Sequence, residues 1–296
     1  MFRFEMLSEY ACDWWTRLGL NYPAVWGFAL FAAFAYGACL GSFINVCIWR
    51  MPRRESVVSA PSHCTKCGAH IRWYDNLPVA SFLVLRGRCR VCREPYSPRY
   101  FIVEVLTGAL FAAILVKTGL TQQHPGAIYF YCVLTLLAVG AAWIDAEWRI
   151  IPDALNYPAM ALALAGALLL PEAWGGAHWW QGGARSLLSG ALPGAGLWLF
   201  SVIGEKLCGR EVLGRGDVKF VAAIGMLAGL SGALFAVTFG ALTGALCGFA
   251  RCALRHEPAA RCAIPFGPFL AAGAVVWIFA GSWLLKLCET LSYHAG

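Results

Sequence analysis

Apolar residues along this chain come in long blocks, not in the alternating or three-to-four-residue patterns of half-buried elements. Blocks of about 20 residues, the length that crosses a hydrocarbon core about 30 Å thick, fall at 24–48, 101–118, 127–145, 154–171, 186–204, 233–253 and 265–287. One further block, 218–230, runs into its neighbour. Joined, the two would make a helix of about 36 residues and roughly 54 Å, too long for one crossing. Gly229, Ser231 and Gly232 offer a break between them. The pattern therefore predicts an all-α integral membrane protein with about eight transmembrane helices, one of them short.

Composition agrees: 59% of the residues are hydrophobic and 13% charged, where a soluble domain carries about 25% charge. The first block follows Glu5, Glu9 and Asp13 and lacks a basic region with a small-residue cleavage site. It is expected to remain as a span. Eighteen of the 23 Lys and Arg lie in 50–99, 145–153, 205–219 and 251–262. Eight spans with the N-terminus outside put all of these on the cytoplasmic face, as the positive-inside rule asks. Seven spans would turn Arg251, Arg255 and Arg261 outward. The net charge of +7 is then an orientation signal, and no nucleic acid need be invoked.

Three regions follow: 1–49, an N-terminal segment and first span; 50–99, a cytoplasmic module; and 100–296, a seven-span region. The module contains Cys64-Thr-Lys-Cys67 and Cys89-Arg-Val-Cys92. Two such knuckles at this distance can close a tetrahedral four-thiolate site around Zn²⁺, and Gly68 suits the left-handed turn after the first. A redox CxxC would normally occur once, at a strand–helix junction, and a cytoplasmic location disfavours disulfides. A closed four-cysteine site leaves no position for substrate, so its expected role is to staple a small zinc ribbon.

The chemistry is expected elsewhere. Only five aspartates occur, yet Asp145 closes one apolar block and Asp217 opens another, where a carboxylate is costly. Asp217 lies in Gly214-Arg-Gly216-Asp217-Val-Lys219. Either acid could simply cap a helix or solvate a loop, and this reading is strongest for Asp153, which follows Pro152 at the start of a span. The glycines before Asp217 instead allow unusual backbone angles and close approach by another chain. Lys219 and Arg215 are candidates for positioning or charge tuning, or are plain positive-inside residues. Two carboxyls held about 3–5 Å apart share one proton, so one can activate water while the other polarises a peptide carbonyl. HExxH, GxSxG, Asp-Thr-Gly and Asp-Ser-Gly are all absent from the sequence.

Several motifs in order resemble the type IV prepilin leader peptidases of bacterial inner membranes, which are GxGD-type aspartyl proteases. These are Gly41-Ser-Phe-Ile-Asn45-Val-Cys-Ile-Trp-Arg50-Met-Pro52; the two cysteine pairs, with Trp73-Tyr-Asp-Asn-Leu-Pro78 and Leu85-Arg-Gly-Arg-Cys89; and Ser97-Pro-Arg99-Tyr100 followed by Glu104. Asp145 with Ile151-Pro-Asp153, the Gly214–Lys219 stretch, and Pro265-Phe-Gly-Pro268-Phe complete them. The resemblance implies that Asp145 and Asp217 are catalytic, with Gly214, Gly216, Lys219 and Asp153 in support, and that Cys64, Cys67, Cys89 and Cys92 bind zinc. It implies cytoplasmic cleavage after Gly in prepilins and type II secretion pseudopilins, then N-methylation with S-adenosylmethionine. Nothing else in the chain announces that cofactor, whose binding residues stay unassigned. The expected partners are these substrates and membrane lipids. The rivals are an intramembrane GxGD protease with other substrates, and an ion-coupled transporter or assembly scaffold.

Overall fold

A computed structural model describes residues 22–58, 63–64, 66–121, 123–209, 212–255 and 264–295. The chain divides into two compact units, Met1–Gln123 and His124–Gly296.

In the first unit, α1 (Pro23–Arg50) packs against α3 (Arg99–Leu120), and the polar module lies between them in sequence with the short α2 (Ala80–Val84). The helix pair is held by small residues. In α1, Gly37 and Gly41 lie four residues apart on one face; a Cβ on Gly37 would stand 2.8 Å from the Phe111 Cβ, and one on Gly41 would stand 3.0 Å from the Thr107 hydroxyl. Gly108 of α3 returns the contact, 2.8 Å from the Phe34 carbonyl by the same measure. Helices in lipid gain little by hiding apolar surface from one another, so close backbone approach through such residues supplies the attraction. The intervening module has two isolated bridges, His63 with His70 and Arg88 with Pro95, one beside each cysteine pair.

The second unit holds α4 (Ala127–Trp148), α5 (Asp153–Leu169), α6 (Trp179–Cys208), α7 (Arg215–Arg255) and α8 (Gly267–Ala295). The same device recurs. A Cβ on Gly194 of α6 would lie 3.0 Å from the Ala222 Cβ of α7, and one on Gly273 of α8 would lie 2.9 Å from the Ala236 Cα of α7. The Ser186 hydroxyl donates to the Met226 carbonyl at 2.9 Å, satisfying a buried polar group across the α6–α7 contact.

The expected count of eight spans is not established. Six described helices are long and apolar enough to cross a membrane, and Asp153–Leu169 is shorter. The predicted break falls where the glycines placed it: Gly229 leaves helical geometry at φ 80°, ψ 170° inside the 41 residues of α7. The segment before it, 215–228, would reach only about 21 Å at 1.5 Å per residue, short of a hydrocarbon core of about 30 Å. The break is legible in the sequence, but its presence does not make each half a crossing.

Candidate aspartyl site and metal centre

Helix α4 ends at Trp148, and Arg149 follows in the left-handed region at φ 56°, its amide donating to the Asp145 carbonyl at 2.9 Å. A non-glycine residue there stores about 1–3 kcal/mol of strain. The reversal lets Pro152 lead directly into α5, so residues 149–152 form a short turn between the two helices.

Asp145 is buried, with 6% of its surface exposed. Its Oδ2 accepts a hydrogen bond from the Gly267 amide at 2.8 Å, the first residue of α8. The carboxylate therefore sits at a helix N-terminus, where unpaired amides and the helix dipole favour negative charge. Only glycine fits: a Cβ at 267 would stand 2.8 Å from Asp145 Oδ2 and 2.9 Å from its Cβ. Gly267 belongs to the Pro265–Phe269 motif, but nothing in the string tells which partner its amide serves.

Asp217 is half-buried in the first turn of α7 and its carboxylate takes the Gly214 amide. The charge of Asp145 is felt at Asp217, so the two acids belong to one electrostatic site. The two glycines before it act through close approach. Neither Gly214 nor Gly216 has a positive φ. A Cβ on Gly216 would lie 3.0 Å from the Ile151 carbonyl and 3.2 Å from the Ile151 Cβ. The neighbour that needs this room is the chain's own 149–152 turn, which is how the Asp145 and Asp217 segments come together.

Asp153 and Lys219 tie the same elements. Lys219 Nζ donates to both Asp153 oxygens at 2.7 Å and lies 5.1 Å from the centre of the Tyr157 ring. Asp153 is the first residue of α5, and no side chain caps that helix. Its carboxylate bridges to α7 instead. Asn156, fully buried in α5, was not singled out from the sequence; its Nδ2 reaches the Gly216 carbonyl at 3.5 Å, a long contact. A buried amide in an otherwise apolar run was the available signal.

The four cysteines of the first unit converge. Cys64 Sγ lies 3.9 Å from Cys92 Sγ and Cys67 Sγ 4.0 Å from Cys89 Sγ, and all four sulfurs fall within 4.8 Å of one another. Tetrahedral Zn–S bonds of about 2.3 Å require S···S separations of about 3.8 Å, so this set fits that ion. Each knuckle turns through a left-handed residue, Gly68 at φ 71° and Arg93 at φ 60°. The Gly68 amide donates to the Cys64 carbonyl at 2.8 Å and the Arg93 amide to the Cys89 carbonyl at 3.0 Å. Arg90 grips Asp75 through Nε and Nη2, at 2.8 and 2.6 Å, and this hydrogen bonding holds the Asp75 carboxyl below the usual carboxylate range.

Comparison with known proteins follows the same division. The Bacterial Peptidase A24 N-terminal domain matches residues 35–118, and the Type IV leader peptidase family matches residues 130–249. Among curated relatives, the Prepilin leader peptidase/N-methyltransferase of Xanthomonas campestris pv. campestris is 32% identical over 90% of this chain and 94% of its own length. The protein of the same name from Myxococcus xanthus is 37% identical over 74% of this chain and 62% of its own length. The one from Klebsiella pneumoniae is 35% identical over 69% and 86%. No solved structure matches.

Proposed function

Because the chain belongs to the type IV leader peptidase family, we propose that it removes the leader from type IV prepilins and type II secretion pseudopilins by an aspartyl mechanism, then N-methylates the new terminus. It is a prepilin peptidase with N-methyltransferase activity and a multi-pass protein of the bacterial inner membrane. What supports the aspartyl reading is the packing of Gly216, next to Asp217, against Ile151 of the turn that follows Asp145, together with the charge of Asp145 acting on Asp217. In this reading the dyad holds one shared proton. The ionised member takes a proton from water as that water attacks the scissile carbonyl. The protonated member polarises the carbonyl and then assists departure of the amine. The Gly267 amide orients Asp145 throughout, and Lys219–Asp153 holds the α7 start against α5.

Cleavage falls after Gly on the cytoplasmic side, the face that carries the Lys- and Arg-rich segments. Cys64, Cys67, Cys89 and Cys92 hold a structural Zn²⁺, which in a closed four-thiolate site stabilises the fold of the module without touching substrate. S-adenosylmethionine supplies the methyl group.

The test is cleavage of a purified prepilin by the wild type and by Asp145→Asn and Asp217→Asn, read by intact mass. Each substitution should lower the rate by at least about 10³-fold while the protein still inserts and keeps its zinc. The dyad is refuted if either variant still releases leader at a tenth of the wild-type rate. A wild type that ignores prepilin but cuts other membrane peptides would overturn the substrate class alone.

A further inference from the structure

Between its two cysteine pairs the module presents large side chains to its surroundings. Trp73, Leu83 and Val84 are 80%, 61% and 76% exposed, and Leu77 is exposed as well. Apolar groups of this size gathered on one short stretch mark a surface with a partner. Where the stretch is held identifies that partner.

Two contacts fix it against α3, and both lie in the apolar part of that helix. The Phe82 ring of α2 stacks on Phe101, with centroids 5.0 Å apart. The Val79 amide donates to Oε2 of the buried Glu104 at 2.8 Å. Val79 stands at φ 63°, an outlier for a β-branched residue, and the bond to Glu104 holds it there. Helix α3 begins at Arg99 and is long and apolar enough to span a membrane. Glu104 therefore lies about 7.5 Å along the axis from that end, at 1.5 Å per residue. Helices that lie in a membrane interface reach about 5–10 Å into the boundary of headgroups and acyl chains. The contacts thus hold α2 at that depth, and the first two turns of α3 also expose Ile102 and Leu106.

A segment at this depth must satisfy its own backbone. The amides of Ser81, Leu83, Leu85 and Gly87 donate to the carbonyls of Leu77, Val79, Ser81 and Phe82 at 2.8–3.1 Å, and Glu104 takes the Val79 amide. The surrounding charge suits an anionic surface. Ten Lys and Arg against three acids lie in 50–99, and Arg86 and Arg88, both exposed, follow α2 directly.

We propose that residues 73–88 form an interfacial anchor in the cytoplasmic leaflet. Leu83 and Val84 enter the acyl boundary, Trp73 sits at headgroup level, and Arg86 and Arg88 meet the phosphates of anionic lipid. A soluble acidic peptide would satisfy the arginines and leave Leu83 and Val84 in water. The assignment depends on α3 crossing the membrane and on neither enzymatic reading. It gives the module an attachment to the bilayer beyond its covalent joins to α1 and α3.

The test uses the full-length, zinc-loaded chain in vesicles of phosphatidylethanolamine and phosphatidylglycerol, doped with a phosphatidylcholine carrying a diazirine in its acyl chain. After illumination, lipid adducts on tryptic peptides are measured by mass. Peptide 73–86 should be labelled within about fivefold of the α3 peptide 100–117, and at least about tenfold above the knuckle peptide 67–72. Replacing phosphatidylglycerol by phosphatidylcholine should lower labelling of 73–86 at least about threefold and leave 100–117 unchanged. Leu83→Asn combined with Val84→Asn should lower it about tenfold, with zinc content at the wild-type level. Wild-type labelling of 73–86 no greater than that of 67–72 overturns the anchor, and is the result expected if a protein covers this surface instead. Labelling indifferent to phosphatidylglycerol overturns the arginine contacts. The wild-type comparison decides the matter even if the double variant loses zinc.

Discussion

Gly267→Ala separates a helix-propensity effect from a site effect, because the two have opposite signs. Gly267 begins α8, and alanine is the better helix former by up to about 1 kcal/mol, so propensity alone predicts an unchanged or stabilised protein. The structure predicts otherwise. The added methyl would stand 2.8 Å from Asp145 Oδ2, 2.9 Å from its Cβ and 3.0 Å from its Cγ. Separations this short cannot persist, and the atoms that must give way are the carboxylate itself or the α8 backbone. Either movement stretches the bond from the Gly267 amide, a hydrogen bond to a charged group worth about 1.5–3 kcal/mol. Overpacking adds roughly 1–3 kcal/mol. A reacting group displaced by about 1 Å costs on the order of 10²-fold in rate. The assay is steady-state cleavage of a fluorogenic prepilin peptide in detergent. The expected result is kcat lower by about 10²-fold with KM within a few-fold of wild type, since the substitution touches the carboxylate proposed to react and leaves distant substrate contacts alone. Methylation of a pre-cleaved substrate by the same preparation should continue. A Gly267→Ala enzyme that cleaves within threefold of the wild-type rate would show that the Gly267–Asp145 contact does not position the reacting group.

Gly216→Ala presses a methyl against the Ile151 carbonyl and Cβ, and should lower stability by about 1–3 kcal/mol and reduce cleavage in parallel; an unchanged melting temperature would contradict the packing. The Lys219–Asp153 pair is partly exposed, with side-chain exposures of 32% and 53%, so a double-mutant cycle with Lys219→Met and Asp153→Asn should give a coupling energy below about 1 kcal/mol. A much larger value would assign the pair a role beyond holding α5 to α7. Zinc removal by a chelator, or Cys64→Ser, should expose the 63–96 segment to limited proteolysis while leaving α4–α8 resistant. Persistent protection of the metal-free module would mean that it folds without the metal.

The sequence carried the parts of this molecule that local chemistry decides. Long apolar blocks marked the helices, the CxxC spacing marked the four-cysteine cluster, and two acids beside apolar blocks stood out because few acids occur at all. Gly229 was legible for the same reason, since the residues around it favour a break whatever packs nearby. The number of crossings was not legible, because hydropathy measures length along the chain and the kink at Gly229 divides α7 into unequal parts.

What remained hidden depends on contacts between distant segments. The glycines before Asp217 read as room for a substrate; the structure gives that room to Ile151, 65 residues earlier in sequence. Asp153 read as a helix cap because it stands at a helix start, yet it bonds Lys219 of another helix. Gly267 appeared only as one letter of a motif, although it touches the buried acid directly. In each case a small or charged residue had a local use that would have sufficed, and only the third dimension showed which use it serves. The same physics joins the three: each lies where the segment carrying one aspartate meets another helix, and each either removes bulk or adds a hydrogen bond there. The proposed dyad therefore depends less on two aspartates than on the contacts that hold α4, α5, α7 and α8 together, and of these substitutions Gly267→Ala should damage cleavage more than it damages folding.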